Sequence, residues 1–105
     1  MASPQLEKGY TKIAHEIIEA VARSAMTSMQ LRVVFYIWRI TYGFNRKVCD
    51  TNTLSFVTKV RSTKSAIEST LIELEKMQVI KITWIDEKKF SIGFNKDYER
   101  WKCFQ

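Results

Sequence analysis

The residues best placed to do chemistry in this 105-residue chain lie in one short run, Lys59-Val60-Arg61-Ser62-Thr63-Lys64-Ser65, continued by Glu68 and Ser69. Three cations and three hydroxyls within seven residues suit the binding of phosphate oxygens. A helix starting here would add free backbone amides and the positive end of its dipole. The short side chains Ser62, Thr63, Ser65 and Ser69 would let such a helix sit deep in a major groove. Lys59 and Arg61 are therefore read as phosphate contacts, and Lys64, Ser65, Glu68 and Ser69 as the residues that meet base edges, with the Glu68 carboxylate able to accept from cytosine N4.

Further cations flank this run. From Arg46 to Lys64, five basic residues (Arg46, Lys47, Lys59, Arg61, Lys64) stand against the single acid Asp50, which concentrates positive charge around the proposed site. Lys88 and Lys89, beside Asp86 and Glu87, lie in a charged turn that either reaches a flanking phosphate or is simply solvated. Glu73 and Glu75 are read as keeping phosphates away from the far end of the reading helix.

Catalytic constellations do not assemble. His15 is the one histidine and has no Cys or Ser partner in a motif, and no GxxxxGK[ST] or GxGxxG loop occurs. The carboxylates form no convergent pair. Cys49 and Cys103 lack metal-ligand spacing and are read as free thiols or, less simply, as one disulfide. Neither an enzyme, a metal site nor a cofactor is expected. Seventeen basic against eleven acidic residues give a net charge of +6, which favours a polyanionic partner. No secretory segment or membrane-spanning apolar run is found, so a cytoplasmic protein without a membrane partner is expected.

The elements that would position the site follow from periodicity. Residues 1–8 are read as a flexible tail and 9–105 as one domain. A first helix is expected from a Thr11 N-cap to about Ala25, with Ile13, Ile17, Ala20 and Val21 inward. Thr27 and Gln30 have capping-box spacing and open a second helix to about Tyr42, ended by Gly43. Leu31, Val34, Phe35, Trp38 and Tyr42 form its one apolar stripe, and Val33, Tyr36, Ile37 and Ile40 a second, so one face is either core or a dimer surface. Lys47-Val48-Cys49 suits a short strand. A third helix is expected over 53–58 with Leu54 and Val57 inward, then a turn plugged by Val60, and a fourth helix capped by Ser62 and running to Gln78. Ala66, Ile67, Thr70, Leu71, Leu74 and Met77 mark its buried side. Alternation over 79–85 and 90–94 predicts a hairpin, and Trp101 should fold onto the core. The fold class expected is mainly α with a small β hairpin, a winged helix-turn-helix whose wing is the hairpin.

Several runs resemble the N-terminal domain of the bacteriophage replication protein O family, the lambda-type origin-binding initiators. They are Gly9-Tyr10, Ile17-Ile18-Glu19-Ala20, Thr27-x-x-Gln30-Leu31-Arg32-Val33, Leu71-x-x-Leu74-Glu75 with Val79-Ile80-Lys81, and Asn95-Lys96-Asp97-x-x-x-Trp101. The most specific is Arg39-Ile40-Thr41-Tyr42-Gly43-Phe44-Asn45-Arg46-Lys47, with Phe44 where the family often has tryptophan. The resemblance implies binding to double-stranded DNA at repeats of a phage or prophage replication origin, as a homodimer. It also implies recruitment of replicative helicase machinery through a C-terminal region absent from this chain. A transcriptional regulator of the same fold, or a winged-helix interaction module, is the alternative.

Overall fold

A computed structural model describes residues 1–103. It contains four α-helices and a three-stranded antiparallel sheet: α1 (His15–Ala22), α2 (Ser28–Ile40), β1 (Val48–Asn52), α3 (Thr53–Val60), α4 (Lys64–Lys76), β2 (Ile80–Trp84) and β3 (Lys89–Phe94). The expected order of elements is found. The sheet is larger than the expected hairpin, because β1 pairs along its whole length with β3, from Val48 opposite Gly93 to Asn52 opposite Lys89, giving the order β1-β3-β2. The molecule is therefore a small mixed domain rather than a helical one with an appended hairpin.

Helix α2 starts as its sequence demands. Thr27 Oγ1 accepts the Gln30 amide at 3.2 Å, and the Thr27 amide donates to Gln30 Oε1 at 2.9 Å, a complete capping box. Its buried stripe is Gln30, Val33, Val34, Ile37 and Trp38. Phe35, on an apolar stripe that reads as either core or a dimer surface, is 61 % exposed, because the face centred on Val34 and Ile37 leaves it beyond the edge of the core. Gln30 is the one polar member of the buried stripe. The helix ends at Ile40 rather than Tyr42, and Gly43 is not its cap: Thr41 Oγ1 donates back to the Ile37 carbonyl, and a tight turn over Tyr42–Phe44 follows. The left-handed residue that closes this turn is Asn45, at φ 56°.

Helix α1 is shorter at both ends than expected. Its N-cap is Ala14 rather than Thr11. Beyond Ala22, Ser24 Oγ donates to the Val21 carbonyl and accepts the Met26 amide, a local alternative to continued helix.

In α3 the inward residues are Phe56 and Val60, whereas Leu54, expected inward, is 70 % exposed. Two residues on a helix differ by about 200°, so once Phe56 faces the core Leu54 cannot. Val60 closes the angle between α3 and α4 as anticipated, although it belongs to the helix itself.

Phe56 and Phe90 stack at 6.2 Å between centroids, joining α3 to the sheet, and both are fully buried. Each such side chain contributes about 1.5–3 kcal/mol. A second aromatic group centres on Phe94, which meets Trp38 at 5.4 Å, Trp101 at 5.3 Å and Tyr42 at 6.2 Å, all edge-on. Trp101 folds onto this core as expected, and its Nε1 donates to the Asn95 carbonyl at 2.8 Å. Asn95 in turn donates from Nδ2 to the Gln78 carbonyl and accepts the Asp97 amide, so the Asn95 to Trp101 motif serves to pin the chain end. Both cysteines are free, and burial pushes the Cys103 thiol up from its ordinary value.

Candidate nucleic-acid interface

The helix pair α3 and α4 is joined by three residues, Arg61 to Thr63, and its angle is held from three sides. Arg61 adopts the left-handed conformation at φ 57°, which reverses the chain. The guanidinium of Arg32 on α2 donates to the Val60 carbonyl, satisfying the open end of α3. The Ser62 amide returns to the Val57 carbonyl at 3.3 Å. Thr63, not Ser62, caps α4: its Oγ1 accepts the Ala66 amide at 3.2 Å, while Ser62 is half-buried in the turn. The register moves by one because Ser62 is still occupied in closing α3.

Helix α4 buries Ile67, Thr70, Leu71 and Leu74, with Ala66 and Met77 half-buried, as the periodicity predicts. Lys59, Arg61, Thr63, Lys64, Ser65, Glu68 and Ser69 are all exposed around the turn and the first two turns of α4. Lys64 and Glu68 lie 3.8 Å apart as an i, i+4 pair. This pair is open to water and worth only a few tenths of a kcal/mol, so Lys64 is free to exchange it for a phosphate.

The hairpin tip comes to the same place. A groove of about 410 Å³ is lined by Lys64 and Glu68 of α4, Asn52 and Leu54 at the start of α3, and Trp84 and Lys88 at the tip. Leu54 and Trp84 were not anticipated. Trp84 shares the β2 face of Ile80 and Ile82 but lies past the end of the core, against Phe90 at 5.0 Å and 57 % exposed. The tip is ordered by Asp86, whose Oδ1 accepts the Lys88 and Lys89 amides, both at 2.8 Å. These bonds hold the Asp86 carboxyl below its ordinary value.

Arg46 and Lys47 are not part of this groove. They precede Val48, at the end of β1 opposite Asn52. At about 3.3 Å per residue, the two ends of β1 lie on the order of 13 Å apart. Charges that are neighbours in sequence are thus divided between the two ends of the sheet. Glu73 and Glu75 also have structural work, since Glu73 accepts from Gln30 Nε2 at 3.2 Å and Glu75 from the Ile82 amide at 3.1 Å.

Among the described residues no three His, Cys, Asp or Glu side chains gather as a metal site. Nor is any helix among them long and apolar enough to cross a membrane. His15 is exposed at the start of α1.

The chain is 30 % identical over 98 residues to DNA replication protein gp18 of Salmonella phage P22, covering 93 % of this chain and 34 % of that protein. It is 31 % identical over 99 residues to replication protein O of Escherichia phage lambda, covering 91 % of this chain and 27 % of that protein. It therefore spans about a third of the length of these relatives. No solved structure is significantly similar to it. The family model for bacteriophage replication protein O matches residues 3–101, nearly the whole chain, and the chain belongs to that family.

Proposed function

We propose that this domain is a winged helix-turn-helix that binds double-stranded DNA at repeats of a phage replication origin, and that it initiates replication by binding rather than by catalysis. In this reading α3 and α4 are the helix-turn-helix, α4 is the reading helix, and the β2–β3 hairpin is the wing. The observation that carries it is the shared groove. The N-terminal half of α4, the start of α3 and the hairpin tip converge there, and a duplex lying on α4 would meet Lys64, Ser65, Glu68 and Ser69 at base edges. Arg61, Ser62 and Thr63 at the turn and Lys88 and Lys89 at the tip would meet flanking phosphates, with Lys59 beside them. Arg46 and Lys47 would contribute from the far end of the sheet. Family membership and the names of the P22 and lambda relatives support replication over transcription.

A homodimer is part of the same reading, and α2 offers the surface. A hollow of about 620 Å³ between α1 and α2 is lined by Ile13, Ile18, Val21, Leu31, Phe35 and Trp38. Ile18 is 48 % exposed, and Trp38 Nε1 is buried there without an acceptor. In the longer relatives, contact with the replicative helicase machinery would fall outside the segment this chain matches.

The decisive experiment is selection of bound duplexes from a random pool, followed by salt titration on the selected site. A repeated site with steep salt dependence, weakened by Arg61→Ala and Lys64→Ala, is the expected result. Salt-insensitive binding, or no selection, would remove the reading.

A further inference from the structure

A second basic surface lies away from the α4 groove, and the Tyr42–Arg46 turn forms its centre. Two hollows flank this turn, of about 240 and 300 Å³. Their cationic lining residues are Lys8, Lys12, Arg39, Arg46, Lys47 and Lys96, and neither hollow is lined by an acid. All six are exposed, and neither ion pair among the described residues, Lys64–Glu68 or Arg100–Asp97, uses any of them.

Aromatic rings alternate with these charges. Phe44 is 53 % exposed, with the Arg39 and Arg46 guanidinium groups 4.9 and 5.4 Å from its centroid. Lys96 lies 5.1 Å from the Tyr42 ring, and Lys12 6.0 Å from that of Tyr10, itself 58 % exposed. The turn that presents them is fixed from behind. The Asn45 and Arg46 amides donate to the Tyr42 and Thr41 carbonyls, and Thr41 is fully buried. Gly43 lets the Arg39 and Thr11 side chains close on the turn, since a Cβ there would meet them at 3.1 and 3.2 Å.

We propose that this surface binds single-stranded DNA, with the backbone along the six cations and unpaired bases stacked on the rings and guanidinium planes of Phe44, Arg39, Arg46 and Tyr10. A duplex satisfies only half of these features, because its bases are already stacked and its phosphates give an exposed ring nothing to gain. A freed strand uses both, and base on aromatic stacking beside a cationic track is how unpaired strands are held without sequence preference. An acidic protein segment would use the cations and leave the rings idle. The choice of DNA over RNA rests on the duplex-binding reading above; the single-strand surface itself is independent of α4.

The test is fluorescence anisotropy of labelled dT20 with the full 105-residue chain, alongside a same-length abasic strand, rU20 and the selected duplex. Binding of dT20 is expected, at least fivefold tighter than of the abasic strand and no weaker than of rU20. Phe44→Ala and the double variant Lys12→Glu/Lys96→Glu should each lose at least fivefold on dT20, whereas Arg61→Ala/Lys64→Ala should stay within twofold. The charge-reversed variant alters two exposed side chains, so it keeps the test open if Phe44→Ala loosens the turn. No binding of dT20, equal affinity for the abasic strand, a preference for rU20, or loss in the α4 variant instead, would each overturn the proposal. Failure of the duplex reading is seen separately, as duplex binding that is indifferent to the α4 variant while dT20 binding persists.

Discussion

Gln30 Nε2 donates to Glu73 Oε1 at 3.2 Å, across 43 residues of sequence, while the same side chain's Oε1 caps the start of α2. One buried amide therefore closes one helix and ties it to the C-terminal half of the helix that carries the proposed reading face. Gln30→Ala removes the reciprocal cap and the tie to Glu73, whose exposed carboxylate then turns to water. Urea unfolding should show a loss of about 1–3 kcal/mol. Gln30→Glu should cost no less, because it sets two carboxylates against each other.

Thr63 and Ser62 make a sharp pair of variants, since their neighbouring hydroxyls have different tasks. Thr63→Ala should destabilise the domain by about 1 kcal/mol through the lost cap. Ser62→Ala should change it by less than about 0.5 kcal/mol. Equal effects in thermal or urea melts would show that α4 starts elsewhere.

Arg61 separates binding from stability. Its φ of 57° is one that glycine adopts freely, and its side chain is exposed. Arg61→Gly should leave stability unchanged or raise it by up to about 1 kcal/mol, the relief of the left-handed backbone being partly offset by unfolded-state entropy. Duplex affinity should nevertheless fall, with the slope of log K against log salt reduced by about one.

The hairpin tip should respond to acid. The Asp86 carboxyl is held below its ordinary value, first by the Lys88 amide and then by that of Lys89. A lowered folded value means that the turn is fully supported above the ordinary carboxylate range, near 4, and loses that support as pH falls through the lowered value. The Lys88 and Lys89 amide resonances should therefore shift together at acid pH. In Asp86→Asn, which keeps the acceptor and removes the titration, they should stay in place.

Phe35 tests the dimer surface. It meets Trp38 edge-on at 5.5 Å but is otherwise largely in solvent. Phe35→Glu should cost the monomer about 0.5–1.5 kcal/mol, while sedimentation should move from dimer to monomer. A wild-type chain that sediments as a monomer at high micromolar concentration would remove the dimer from the reading.

Much of this domain was legible in its residues because the information is local. The Thr27–Gln30 box, the buried stripe of α4 and the alternation of β2 and β3 each depend on contacts within a few residues, so periodicity and capping chemistry suffice to place them. The same runs, with the Thr41 to Lys47 segment, carry the family likeness that the family model matches over residues 3–101.

Where several faces compete for one core, only the tertiary structure decided. Phe35 and Leu54 are as apolar as their neighbours, but the packing of Val34, Ile37 and Phe56 had already taken the interior. Arg46 and Lys64 belong to one basic stretch by sequence, yet β1 runs between them and carries their charges to opposite ends of the sheet. Glu73 and Glu75 looked like an acidic helix end and proved to be acceptors for groups 43 and 7 residues away. Composition and spacing determined that this protein is basic and helix-rich, with a turn rich in cations and hydroxyls. Which cations act together depended on long-range strand pairing, a property of the folded chain that no local pattern encodes.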